Sequence, residues 1–189
     1  VEHLESMLQS IETHKGSELR YALQHALMHK GITGFVHHVA APLTAAVGEA
    51  WAQGRFEVFE EHLYTEVVTN VLRSNLEALR HTGMHKPPRV LLTTVPQELH
   101  GLGLLMVESL LTLEGCACIS LGTQTPLSDI VQAATAYGVN VVALSFTNVH
   151  STATVLNALR DLRNALPKDT DIWVGGSCAS QYQKPLDGI

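Results

Sequence analysis

The stretch Arg89–Leu113, RVLLTTVPQELHGLGLLMVESLLTL, decides the fold. After Arg89, its residues 90–95 are apolar or β-branched and do not alternate, the pattern of a strand buried on both faces. From Leu102 onward the apolar residues recur at helical spacing. Between the two, Pro96–Gly103 form an unusually polar corner holding Glu98, His100, Gly101 and Gly103. Strand-like runs return at CACISLG, VNVVALSF and DIWVGG, separated by the helical patterns PLSDIVQAATAYG and STATVLNALRDLRNAL. Alternating strands and helices predict a parallel sheet with helices on both faces, flavodoxin-like or Rossmann-like, over residues 89–189.

Working outward toward the start, residues 1–83 read as helices throughout. LESMLQSIETH is amphipathic, and SELRYALQHALMHKG ends at Gly31. A third run carries Phe35, Val36, Val39, Leu43, Val47 and Trp51 at helical spacing, with Pro42 as a kink or break. The fourth runs from Phe56 to a stop at Gly83. Short turns between four helices predict an antiparallel four-helix bundle cap. Residues 84–88, MHKPP, read as the linker. The chain begins at Val1 and ends in KPLDGI, which looks like the approach to another strand. Both ends therefore read as cuts in a longer protein, with the sheet domain interrupted before its last strand and helix.

Composition narrows the classes. The 189 residues are 46% hydrophobic with net charge −6, from 12 basic and 18 acidic residues, and no Lys/Arg block occurs. This argues against nucleic-acid binding by these residues themselves. Apolar runs are too short for a membrane span, and no signal peptide is apparent. Cys116, Cys118 and Cys178 form no disulfide framework and no paired zinc spacing, which suits a reducing cytoplasm. His25 and His29 have zinc-binding i, i+4 spacing but no evident third ligand. Nothing reads as a catalytic acid, base or nucleophile, so no enzyme is expected.

On an open parallel sheet, ligands bind outside the carboxyl ends of the strands. Those ends here carry the Glu98–His100 corner, Leu121–Pro126, Ser145–Asn148 and Gly175–Ser177. The dinucleotide fingerprint fails, because Met106 stands where a third glycine is needed. A phosphate loop lacks its Gly-Lys-Ser/Thr ending, and a phospho-receiver lacks its acidic pair. What remains is Glu-x-His-x-x-Gly. A neutral imidazole ligates transition metals, and a carboxylate two residues away can hold its other nitrogen. One visible protein ligand implies a metal that brings its own equatorial ligands.

Glu98-x-His100-x-x-Gly103, followed by Ser145-x-Thr147 and Gly175-Gly176, resembles the cobalamin-binding domain of corrinoid proteins. The resemblance implies His100 as the lower axial ligand of cobalt, with Glu98 behind it and Gly101 and Gly103 as clearance. It gives Ser145, Thr147, Gly175 and Gly176 to the pocket for the cofactor's nucleotide tail. More usual members have Asp at the position of Glu98 and Leu at that of Thr147. In the cap, Trp51 followed after nine residues by Glu61-His62 is similar to the signature of light-responsive MerR-type regulators of the CarH/LitR family. That implies adenosylcobalamin, with Trp51 as an apolar wall, Glu61 as acceptor for ribose hydroxyls, His62 beside them and Val58 against the corrin.

The expected function is a sensory module in which light cleaves the cobalt–carbon bond and alters cap packing and oligomerisation. DNA would be bound by a helix-turn-helix domain outside this chain, and the chain itself would form homo-oligomers. In light-responsive relatives a His follows the Trp; here it is Ala52. His62 or the pair His37-His38 are the substitutes considered for it. Two alternatives stay open: a corrinoid methyl carrier of a methyltransferase system, and a cobalamin sensor indifferent to light.

Overall fold

The computed structural model describes residues 2–80, 85–177, 179 and 187–189. The expected stop at Gly83, the linker residue Met84, Cys178 and the stretch Lys184–Leu186 lie outside these. The chain divides into two compact units, Val1–His81 and Thr82–Ile189.

The first unit is helical. Helices α1 (Glu2–Glu12), α2 (Gly16–Phe35), α3 (Ala41–Ala52) and α4 (Val58–Arg80) pack on one another. The buried residues of α4, Tyr64, Val67, Val68, Val71, Leu72 and Leu76, recur every three or four positions and make its inner stripe. Its N-terminus is fixed by Glu60, whose carboxylate accepts from the Glu57 backbone N–H at 2.7 Å and contacts His14 Nε2 at 3.0 Å. This is the reciprocal half of a capping box. The hydrogen bond from Glu57 and the contact with His14 hold the Glu60 carboxyl below its ordinary range despite burial.

Gly31 marks the predicted break. Its φ of 66° and ψ of 173° are open only to glycine, and helix resumes at Ile32. The break expected at Pro42 takes a different form. Residues Val36–Ala40 widen into a π-helical turn directly before α3, and Pro42 sits in the first turn of that helix. Proline has no N–H for the carbonyl four residues back, and a widened turn accommodates it without ending the helix. The Ala40 carbonyl there accepts from Thr44 Oγ1 at 2.7 Å and from the buried Tyr64 hydroxyl at 3.3 Å. Tyr64 and Thr44 are themselves 2.6 Å apart, and burial pushes the phenol up.

The second unit is a four-stranded parallel sheet in the order β2-β1-β3-β4, with β1 Lys86–Thr93, β2 Cys116–Ser120, β3 Val141–Ser145 and β4 Asp171–Gly175. Helices α5 (Leu102–Leu113), α6 (Leu127–Tyr137) and α7 (Thr152–Ala165) fill the crossovers. Residues Leu91, Val142, Leu144 and Ile172 point to one core, shared with Ile130 of α6 and Val155, Leu159 and Leu162 of α7. Val90, Leu92, Val141 and Ala143 point to the other, shared with Leu104 of α5. Both faces of β1 and β3 are thus covered, which is why their sequences show no alternation.

Strand β1 starts inside the stretch read as a linker. Lys86 donates to the Gly115 carbonyl and pairs with Cys116. Pro87 and Pro88 fall where the β2 register shifts and before pairing with β3 begins at Val90. No ladder donor is needed from them there.

The Tyr64 hydroxyl gives a test of the cap. Tyr64→Phe should lower cap stability by about 1 kcal/mol, the net worth of a buried neutral hydrogen bond, read from the urea midpoint of helix loss by circular dichroism.

Candidate functional site

The strand order reverses between β1 and β3, so the loops leaving these two strands lie side by side. The β1 loop opens with Val95-Pro96-Gln97-Glu98, in which the Glu98 N–H returns to the Val95 carbonyl at 3.2 Å. Proline second and a positive φ of 71° at Gln97 make this a type II turn. Thr94 Oγ1 donates to the Glu98 carbonyl at 2.6 Å and accepts from the Gln124 N–H at 2.9 Å. Buried Thr93 reaches the Gly122 carbonyl at 2.9 Å and the Thr125 hydroxyl at 2.7 Å. These two threonines lock the β1 and β2 loops together, a role the sequence reading did not assign.

The turn drives the Glu98 side chain inward, where it is fully buried. His100 Nδ1 lies 2.8 Å from Glu98 Oε1, and the His100 backbone N–H donates to the same oxygen at 3.1 Å. From the β3 loop, the Thr147 N–H donates to Oε2 at 2.8 Å, and its hydroxyl reaches Oε1 at 3.0 Å and Oε2 at 2.8 Å. Burial alone would push the Glu98 carboxyl up. The Thr147 N–H, the His100 ring, the Thr147 hydroxyl and the His100 N–H outweigh it and hold the carboxyl below its usual range. Glu98 is therefore an anion placed to accept from Nδ1, and in the tautomer that donates there the lone pair of His100 is on Nε2. The His100 side chain is 61% exposed, and neighbouring Leu99 is 67% exposed beside it.

Beyond the place in a tail pocket expected for it, Thr147 donates its amide and hydroxyl to Glu98. The two departures from the usual pattern explain each other. Glutamate is one methylene longer than aspartate and reaches the β3 loop, where threonine supplies a hydroxyl that leucine lacks.

The glycines differ in purpose. A Cβ on Gly101 would stand 2.9 Å from the Thr123 methyl, so this glycine allows close packing against the β2 loop. One on Gly103 would make ordinary contact with Ser145 Oγ at 3.5 Å. Ser145 is buried at the end of β3 and in register with Gly175. Among the described residues nothing lies within 4 Å of a Cβ on Gly175, whereas one on Gly176, at φ 108°, would stand 2.2 Å from the Phe146 carbonyl oxygen. A further imidazole, His150, lies three residues past Thr147, and its buried Nε2 has no hydrogen-bond partner among the described residues. No sequence signal singled it out.

The cap residues are described within their own unit. Trp51 ends α3 and is 53% exposed, so it is not bundle core. Val58 is likewise exposed. Glu61 places Oε2 2.7 Å from His62 Nδ1 and accepts from Thr65 Oγ1 at 2.8 Å through Oε1. His37, His38, Ala52 and His62 are all exposed.

A family profile described as a B12 binding domain matches residues 88–187, and a second of the same description matches residues 3–74. The chain belongs to the B12-binding domain family. It is 34% identical over 148 residues to the HTH-type transcriptional repressor CarH of Myxococcus xanthus, a match taking in 77% of this chain. The chain spans about half the length of that curated relative, 48%. The monomethylamine corrinoid protein of Methanosarcina barkeri superposes with a TM-score of 0.73 over 93% of this chain and 84% of its own, at 15% identity. At that identity the likeness concerns the fold alone. A cobalamin-binding protein from Desulfitobacterium hafniense is 17% identical over 93% of this chain and 84% of its own, but its TM-score of 0.43 carries no weight.

The candidate residues fit a B12 cofactor on three structural grounds. His100 offers one oriented nitrogen, and among the described residues Gly175 has open space before it and the buried Nε2 of His150 has no partner. Among the described residues no three His, Cys, Asp or Glu side chains converge as a metal site. None of the described helices is long and apolar enough to cross a membrane.

Thr147→Val should remove one donor to the Glu98 carboxylate and cost about 2 kcal/mol at neutral pH, followed by urea unfolding through Trp173 fluorescence. The depressed Glu98 contributes stability above its unfolded value of about 4.3, and that stability is lost as pH falls through the folded value. With Thr147→Val the folded value rises, so acid unfolding should begin at higher pH. Gly176→Ala should cost about 3 kcal/mol or more by the same measurement, because the clash is with backbone and the φ is unsuited to alanine.

Proposed function

We propose that this B12-binding chain is the adenosylcobalamin-binding sensory module of a light-responsive transcriptional regulator. The observation that carries it is the His100–Glu98–Thr147 relay, which holds Nδ1 and leaves Nε2 as a single outward ligand for cobalt. The likeness to the CarH repressor supports a regulator over a carrier. When bound, the cofactor would supply a cobalt–carbon bond that light cleaves.

His100 takes the lower face, and the buried Glu98 keeps its ring in one tautomer and orientation. Ser145, Gly103, Gly175 and Gly176 border the space for the nucleotide tail, and His150 offers its unpaired nitrogen to a polar group there. Exposed Trp51 and Val58 present the apolar surface for the adenosyl group and corrin, and Glu61 retains lone pairs for ribose hydroxyls. Loss of the adenosyl group would release these cap contacts and change cap packing and self-association. DNA binding would fall to a helix-turn-helix domain outside these residues, in a cytoplasmic regulator without catalytic turnover.

Ala52 favours a second reading, a sensor that responds to cobalamin but not to light. Against it stands His62, whose Nδ1 is held by Glu61 much as Glu98 holds His100, leaving Nε2 free for the upper face. A methyl carrier is disfavoured by Trp51 and Glu61, since a methyl group offers nothing for a carboxylate to accept from.

The experiment binds adenosylcobalamin or methylcobalamin in the dark, then records absorbance and particle size before and after illumination. The expected result is preference for the adenosyl form and a light-induced change in assembly. Assembly unchanged by light selects the light-indifferent sensor, and a strong preference for methylcobalamin selects the carrier. His100→Ala should weaken binding at least about tenfold and shift the dark spectrum. An unchanged spectrum and affinity would remove His100 from cobalt.

A further inference from the structure

Helix α2 carries two imidazoles that converge. His25 and His29 lie about one turn apart, with their Nε2 atoms 3.0 Å from each other. Their ring centroids are 4.2 Å apart and the planes inclined by 53°. Both are exposed, on the side of the helix away from buried Leu19 and Leu23. His25 stands two residues, roughly 200°, beyond Leu23. Tyr21, about one turn earlier, stacks on the His25 ring at 6.1 Å with 27° between planes, which restricts the rotamers open to that ring. At 3.0 Å one imidazole N–H donates to the other ring's nitrogen. With that proton removed, both lone pairs are available to a single metal ion.

We propose that His25 and His29 chelate a divalent transition metal, copper(II) above all, at a site separate from the cobalamin residues. The two Nε2 atoms already approach one another, so small rotamer changes bring both lone pairs onto one ion. Copper(II) is the tightest binder of the divalent series at imidazole sites. Water completes the coordination, since no third protein ligand converges among the described residues. Closing a chelate ring across this turn braces the helix just ahead of the break at Gly31, so binding also stabilises the cap by mass action.

The test titrates the cobalamin-free chain with copper(II), nickel(II) and zinc(II). A His3→Ala background removes the imidazole near the chain start as a competing nitrogen donor. Copper(II) should bind most tightly, one equivalent per chain, with an electron paramagnetic resonance spectrum showing two imidazole nitrogens. His25→Ala and His29→Ala should each weaken it at least roughly tenfold, because the second arm of a chelate acts at high effective concentration. Both side chains are exposed, so the variants should fold, retain cobalamin affinity and lose the copper-induced rise in melting temperature. His62→Ala should leave copper binding unchanged. Copper affinity preserved in both His25→Ala and His29→Ala, or zinc bound more tightly than copper, would overturn the proposal.

Discussion

The sheet unit depends on one buried anion. Removing a carboxylate from water costs several kcal/mol unless its lone pairs are filled. Glu98 meets that condition with donors from two loops: the ring and backbone of His100, and the hydroxyl and backbone of Thr147. The same bonds that make burial tolerable tie the exit of β1 to the exit of β3 and orient the imidazole. Stability and ligand geometry are therefore one interaction. Loosening either partner leaves a buried charge with too few donors.

The cap carries the same chemistry in a different setting. Glu61 and His62 also form a carboxylate–imidazole pair, at 2.7 Å, but with the His62 side chain 73% exposed. Solvent screens that pair, and it contributes little to stability. Packing instead rests on the inner stripe of α4 and on Tyr64 over the widened turn at Ala40. The buried carboxylate–imidazole pair thus lies on the sheet and the solvated one on the helices.

Much of this was legible beforehand. The change of period after residue 88 separated helices from sheet, because burial on two faces erases alternation and a bundle imposes helical spacing. Gly31 was legible as a helix break, since only glycine holds that backbone. Glu98-x-His100 was legible as a pair because two residues suffice for a carboxylate to reach back to a ring. Thr147 was named, but its bonds to Glu98 were not anticipated, and His150, Thr93 and Thr94 were not singled out. Their partners lie on loops distant in sequence, as Thr147 does from Glu98 by 49 residues. The start of β1 at Lys86 was hidden because prolines there read as linker, while their tolerance depends on which neighbour strand is paired at that point.

By itself, then, the sequence determined the classes of element, the corner at Pro96–Gly103 and the identity of the imidazole that faces out. Each depends on local periodicity or on residues within a few positions. Only the tertiary structure decided what Glu98 is bonded to, why Gly101 and Gly176 must be glycine, and that Trp51 is exposed. Those of the sheet follow from strand order, which sets β1 between β2 and β3 and brings together groups that the chain keeps far apart, and the exposure of Trp51 follows from which face of α3 its neighbouring helices cover.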